Sequence, residues 1–177
     1  MIYLVRHGQT DDNINSIVQG NKGLNKNGKQ QAIELAIQLK DIDFDICYCS
    51  PLKRTKQTLK YVLKYHKKLK VVMDERLKER DYGKLVGVCT KQIPNYEHAR
   101  WDANCNFHQS VESVKHIYNR VVSFYKDILP KNKGKNILIV AHSGIARMSH
   151  FYFNGKPKDN NYINFKLDNG EIMEIKN

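Results

Sequence analysis

No apolar run in this 177-residue chain approaches the roughly 20 residues that a bilayer crossing needs, which argues against a membrane helix. The N-terminus, MIYLVRHGQT, lacks the small-residue cleavage site of a secretory signal. The expected compartment is therefore the cytoplasm, with no membrane partner. The four cysteines, Cys47, Cys49, Cys89 and Cys105, form neither a CxxC redox pair nor the paired CxxC ligands of a structural zinc, so no metal site is expected. Cys47 and Cys49 would face one side of a strand, where core packing suits a free thiol better than metal ligation. Acidic residues are the minority, 18 against 30 Lys and Arg, and the formal charge of +12 attracts anions in general. The lysines are dispersed apart from short clusters near Lys67 and Lys133, without the basic stripe and interleaved aromatics of a nucleic-acid binder. No nucleic-acid partner is expected, and a solvated lysine-rich surface accounts for most of the charge. With 41% hydrophobic residues and neither repeat nor low-complexity linker, residues 1–177 read as one domain.

Short apolar runs at 2–5 (IYLV), 44–49 (FDICYC), 71–73 (VVM) and 137–141 (ILIVA) alternate with helical patterns, the signature of a parallel sheet in an α/β fold. Asn25 can cap a helix in which Ala32, Leu35, Ala36 and Leu39 recur. Ser50 followed by Pro51 reads as the start of a second. A third fits 110–129, with Ser110 as its cap and Val114, Ile117, Val121, Phe124 and Ile128 on its apolar face. A fourth follows Ser143. Near the end, YINFKL and EIMEI flank Asp168, Asn169 and Gly170, and Asn-Gly predicts an antiparallel hairpin at the sheet edge. Residues 84–109 have no clean period and read as a small inserted cap. The expected architecture is a three-layer α/β/α sandwich around a mostly parallel sheet.

Three strand ends carry similar side chains: Arg6 and His7, then Arg54 just inside a helix, then His142. In a parallel α/β sheet these ends share one edge, so the four can converge on a phosphoryl group, and Gly8 would let backbone approach the anion. A lone Arg-His pair at a strand end is usually structural, so the weight rests on the convergence. The motifs RHGQT at 6–10, SPLKRTKQT at 50–58, LKERDYG at 77–83 and VAHSG at 140–144 resemble, in order, those of the histidine phosphatase superfamily, which includes cofactor-dependent phosphoglycerate mutases and many small phosphatases. Asn13, the segment from Leu24 to Ala32 and Glu112-Ser113 also fit, so the resemblance spans nearly the whole chain.

The resemblance implies phosphomonoester hydrolysis through a phosphohistidine on His7, with no metal and no cofactor and a small phosphorylated metabolite as the partner. It implies that Arg6, Arg54 and a protonated His142 hold the phosphoryl oxygens, and that Glu79 is the general acid and then the base. For Glu79 the plainer reading is one more solvated charge in DERLKERD. Asn13, Gln19 and the backbone amide of Ser143 are further phosphate-binding candidates. Arg80 and Tyr82 of ERDYG could grip a second anionic group of the substrate. His66, His98, His108, His116 and His150 match no motif and read as surface or structural, although His98 and His108 lie in the cap. Leu85, Val86 and Gly87 stand where many relatives have Trp-Glu-Gly, so that segment assigns no subfamily. A mutase remains the alternative, but the chain is short to shield a phosphoenzyme from water. A third possibility is a basic binding module with a vestigial site. Oligomeric state, monomer or homodimer, stays open. Attack needs His7 neutral while Glu79 carries a proton, which predicts a bell-shaped profile with its optimum on the acidic side for poor leaving groups.

Overall fold

Each of the four apolar runs read as parallel strands contains one. In the computed structural model, which describes residues 1–105 and 107–176, β1 (Ile2–Arg6) leads to α1 (Asp11–Ile14), α2 (Lys26–Leu39), β2 (Ile46–Cys49), α3 (Lys53–Val62) and β3 (Val71–Met73). There follow α4 (Tyr96–Ala99), α5 (Val114–Lys131), β4 (Ile137–Ala141), α6 (Ser143–Asn154) and β5 (Ile172–Ile175). The sheet order is β3-β2-β4-β1-β5, parallel throughout except that β5 runs antiparallel to β1.

The period of two in the strands sorts the core into two halves. Ile137, Ile139 and Ala141 of β4 join Ile2 and Leu4 under α5 and α6, while Leu138 and Val140 join Val5, Cys47 and Cys49 under α2 and α3. β4 is thus buried at all its positions, as its uniformly apolar sequence requires. This is the three-layer sandwich expected from the sequence. Burial lifts the Cys47 thiol well above its ordinary value and pushes Cys49 up to about 12, so both are inert core residues. Among the described residues no helix is long and apolar enough to cross a membrane.

The C-terminal hairpin does not form. β5 takes the open edge of β1, with Ile2 opposite Ile175 and Val5 opposite Ile172. The other expected arm is a single 3-10 turn, Tyr162–Asn164, capped by the Asn161 side chain, and it buries Tyr162 edge-on against Phe151 of α6. Two expected helix caps also move. α5 starts at Val114 because Ser113 accepts the His116 N–H at 3.1 Å, whereas Ser110 accepts from Lys84 N at 3.0 Å. α3 begins at Lys53, which leaves the Ser50 hydroxyl to other work. The described residues of 84–109 hold short turns and α4, and they clasp the loop after α1: Val18 N donates to Val88 O and Gly87 N to Val18 O, both at 2.9 Å. Val18, Tyr82 and Tyr96 form a small core of their own beneath this cap.

Candidate active site

Strand register brings the two motif histidines together. β1 and β4 are neighbours with Arg6 opposite Ala141, so His7 and His142 leave the sheet side by side with ring centroids 5.1 Å apart. β2 flanks β4 on its other side with Cys49 opposite Val140, which puts the Ser50 hydroxyl 2.8 Å from His142 Nε2. The chain turning away after β1 is packed tightly. A Cβ on Gly8 would lie 2.2 Å from the Gly28 carbonyl oxygen, so this glycine serves backbone packing against α2, where the sequence suggested approach to an anion.

Arg54 donates from Nε to His7 Nε2 at 3.0 Å. A guanidinium has no acceptor, so Nε2 must present its lone pair. The proton is then on Nδ1, which donates it to Gly8 O at 2.7 Å. Burial, followed by the charges of Arg54 and Arg6, holds His7 well below its ordinary value, so the ring is neutral as well as oriented. Arg54 also donates from Nη1 to Gly20 O at 3.0 Å, and Arg6 donates from Nη1 to Leu167 O at 2.8 Å. His142 is pushed well below its ordinary value by burial, then by Arg54, His7 and Arg6. The ring is therefore neutral here, where the sequence led to the expectation of a protonated one. Its Nδ1 is buried and finds no partner among the described residues.

Glu79 closes the site from the α6 side. Its Oε1 accepts from Arg80 N at 2.9 Å and from Gly144 N at 3.1 Å. The loop that carries it is held by Arg120 of α5, which donates to the carbonyls of Arg76, Lys78 and Glu79 at 2.6, 2.8 and 3.1 Å. The same guanidinium grips both oxygens of Glu112, at 2.8 and 2.9 Å. His7, Arg6, Arg54, Glu79 and Ser143 all line one cavity of about 350 Å³ under the cap. A wider cavity of about 680 Å³ meets it at Gln19, Gly20, Arg54 and Glu79 but lacks His7; His142 is fully buried behind His7 and lines neither. We place the chemistry in the smaller one, because it is the one lined by His7, whose Nε2 lone pair meets Arg54. Among the described residues no trio of His, Cys, Asp or Glu side chains is grouped to hold a metal ion.

The profile of the Histidine phosphatase superfamily (branch 1) matches residues 2–176. The chain belongs to that superfamily. It is 32% identical over 184 residues to the phosphatase PhoE of Bacillus subtilis, a match covering 99% of this chain and 90% of that protein. It is also 32% identical over 166 residues to a 2,3-bisphosphoglycerate-dependent phosphoglycerate mutase of Parvibaculum lavamentivorans, covering 83% and 76% respectively. The α-ribazole phosphatase of Shigella flexneri superposes with a TM-score of 0.83 at 26% identity, over 97% of this chain and 87% of that one.

Not every candidate of this histidine phosphatase site faces the cavity freely. Asn13 lines it, but its Oδ1 accepts from Thr10 N at 3.0 Å in the cap of α1. Gln19 sits at the junction of the two cavities with Oε1 accepting from Tyr82 N at 3.0 Å. Ser143 lies in the first turn of α6, where backbone N–H groups have no partner within the helix. Tyr82 lines the cavity although it is nearly buried. Arg80 does not suit the anion-gripping role suggested for it. Its guanidinium is buried between the rings of Tyr82 and Trp101, donates from Nε to Glu112 O at 2.6 Å and bonds the Arg100 carbonyl, so that Arg80 stands behind residues of the cavity wall and does not line it. His66, His108 and His150 are structural: His66 bonds Leu39 O at 3.1 Å, His108 pairs with Ser110 and His150 stacks on Phe165. His116 binds Glu112 at 2.6 Å. The side chain of His98 lies outside the described residues.

Sequence reasoning missed Arg100, Trp101 and Arg147, which all line the cavity. It also missed Asn169, which donates to His7 O at 2.9 Å, and Thr58, whose Oγ1 accepts from Gly8 N at 3.1 Å. Arg147 carried a usable signal, since it follows Ser143 by one helical turn on the same face. Arg100 and Trp101 lie in the aperiodic cap and carried none.

Proposed function

We propose that this chain is a metal-independent phosphomonoesterase that hydrolyses a small phosphorylated metabolite through a phosphohistidine on His7. The observation that carries the proposal is the state of His7: neutral, with its Nε2 lone pair fixed toward the cavity by a proton on Nδ1 held at Gly8 O. Nε2 attacks phosphorus, the P–O ester bond breaks, and its electron pair leaves with the alcohol, to which Glu79 gives a proton. Water then attacks the phosphohistidine, Glu79 takes the water's proton, and the P–N pair returns to Nε2. Arg54 exchanges its hydrogen bond with Nε2 for one with a phosphoryl oxygen. Arg6 and His142 hold the others, with His142 Nδ1 as the donor because Ser50 engages Nε2. A dianion between these groups offsets the arginine charges and restores the proton that burial keeps off His142.

The protein should release phosphate from p-nitrophenyl phosphate in excess chelator, and His7→Ala, folded by circular dichroism, should not. Undiminished turnover in that variant sinks the mechanism. Products from 3-phosphoglycerate with and without 2,3-bisphosphoglycerate distinguish hydrolysis from the mutase reaction of the Parvibaculum relative. The phosphatase reading predicts free phosphate and no 2-phosphoglycerate.

A further inference from the structure

Arg147 is a buried cation without a counterion, and it stands on the wall of the reactive cavity. Four arginines line that cavity. Arg54 is committed to His7 and the transferring group, Arg6 sits 3.9 Å from Asp168, and Arg100 sits 2.6 Å from Glu97. Arg147 has no carboxylate within ion-pair distance among the described residues, although only 4% of it is exposed. Buried charges are as a rule paired, because an unpaired one forfeits hydration without recompense. Burial and the charge of Arg100 accordingly pull Arg147 down to about 10.

Part of the hydrogen-bonding capacity of Arg147 is unused, as it is at Arg6 Nε and Arg100 Nε. Arg147 Nη1 is spent on the carbonyls of Tyr162 and Ile163, and the Trp101 ring covers one face of the guanidinium at 4.8 Å. Nε is buried with no acceptor among the described residues. Together with Nη2 it forms the side-on edge of the guanidinium, which matches the two oxygens of a carboxylate. The helix fixes the range, since Arg147 lies one turn, about 6 Å of rise, beyond Ser143. Ser143 borders the reactive histidines, so a group meeting Arg147 is only a few bonds from the scissile phosphoester.

We propose that Arg147 is the carboxylate subsite of this enzyme, so that its substrates are short phosphomonoesters whose leaving alcohol bears a carboxylate. This rests on the phosphatase reading above. The subsite replaces the anion-gripping role that the sequence suggested for Arg80. The cavity of about 350 Å³ admits such a compact acid.

The test is a matched pair of substrates, 3-phosphoglycerate and glycerol 3-phosphate, in which a carboxylate replaces a hydroxymethyl group on nearly the same frame, with p-nitrophenyl phosphate run alongside. Wild-type kcat/KM should favour 3-phosphoglycerate by at least about tenfold, mainly through KM. That ratio should fall toward one in Arg147→Met. Arg147→Lys keeps the charge but loses the planar edge and should give an intermediate ratio, which preserves the test if the methionine variant does not fold. A wild-type ratio near one, a ratio unchanged in both variants, or hydrolysis of p-nitrophenyl phosphate alone overturns the subsite. Absence of phosphate release from all three compounds overturns the phosphatase reading itself.

Discussion

Gly144→Ala isolates the part of the mechanism assigned to Glu79. A Cβ at Gly144 would lie 2.2 Å from Glu79 Oε1 and 3.0 Å from Trp101 Cη2. Restoring an ordinary contact near 3.4 Å requires the carboxylate to retreat by about 1.2 Å. The atom that must move ends a flexible side chain, so the backbone can stay in place, and alanine in a helix gains up to about 1 kcal/mol over glycine. Stability should therefore change by less than about 1 kcal/mol. Misplacing a reacting group by about 1 Å costs on the order of 100-fold where that group acts. The value of kcat/KM reads the first chemical step, in which the acid protonates the leaving group. Alkyl phosphates should lose about 100-fold and p-nitrophenyl phosphate far less, because a nitrophenolate departs with little help. Glu79→Ala should show the same selectivity more strongly. Phosphate release from glycerol phosphate and colour release from the aryl ester measure the two losses, with thermal unfolding as the stability control. Equal losses on both substrates, or none on either, would refute the assignment of Glu79 as leaving-group acid.

Two further outcomes follow from the buried charges. His7 and His142 both lie well below 6.5 in the folded chain, so on acidification the unfolded chain binds protons first, and stability is full above about pH 6.5 and lost below it. Each histidine contributes a slope of at most about 1.4 kcal/mol per pH unit. Denaturant unfolding from about pH 8 to about pH 5 should show a shallower loss in His142→Asn than in the wild type, and identical slopes would contradict the burial argument. Arg120→Met removes five hydrogen bonds, three to the loop of Glu79 and two to Glu112, and should cost about 3 kcal/mol. In denaturant melts that loss is the expected result. It should also lower the alkyl-to-aryl activity ratio, whereas an unchanged ratio would show that the loop keeps Glu79 in place without Arg120.

The sheet was legible because strands covered on both faces are written as unbroken apolar runs, and ILIVA could be little else. The convergence of His7, Arg54 and His142 was legible too, since parallel strands deliver their ends to one edge. What failed was local competition. Asn-Gly near residue 169 predicts a hairpin, but β1 offered β5 a partner and Tyr162 a core, and neither can be seen from the turn alone. Ser50 looked like a helix cap because its sequence neighbour is Pro51, yet its partner is His142, 92 residues away. Arg80 looked like a ligand for a second anion because of its motif, and Arg147 went unremarked inside a helical pattern. Which of the two faces the cavity depends on how α6 and the cap pack, and that information resides in tertiary contacts.

The central claim is the covalent phosphohistidine on His7. Rapid quenching of the protein during turnover of a phosphomonoester, in alkali to preserve a phosphoramidate, followed by peptide mass mapping, tests it most directly. The account predicts one phosphoryl group on the peptide containing His7, lost on brief acid treatment and absent from His7→Ala. A phosphoryl group on another residue, or burst-phase product release with no modified peptide at all, would contradict it.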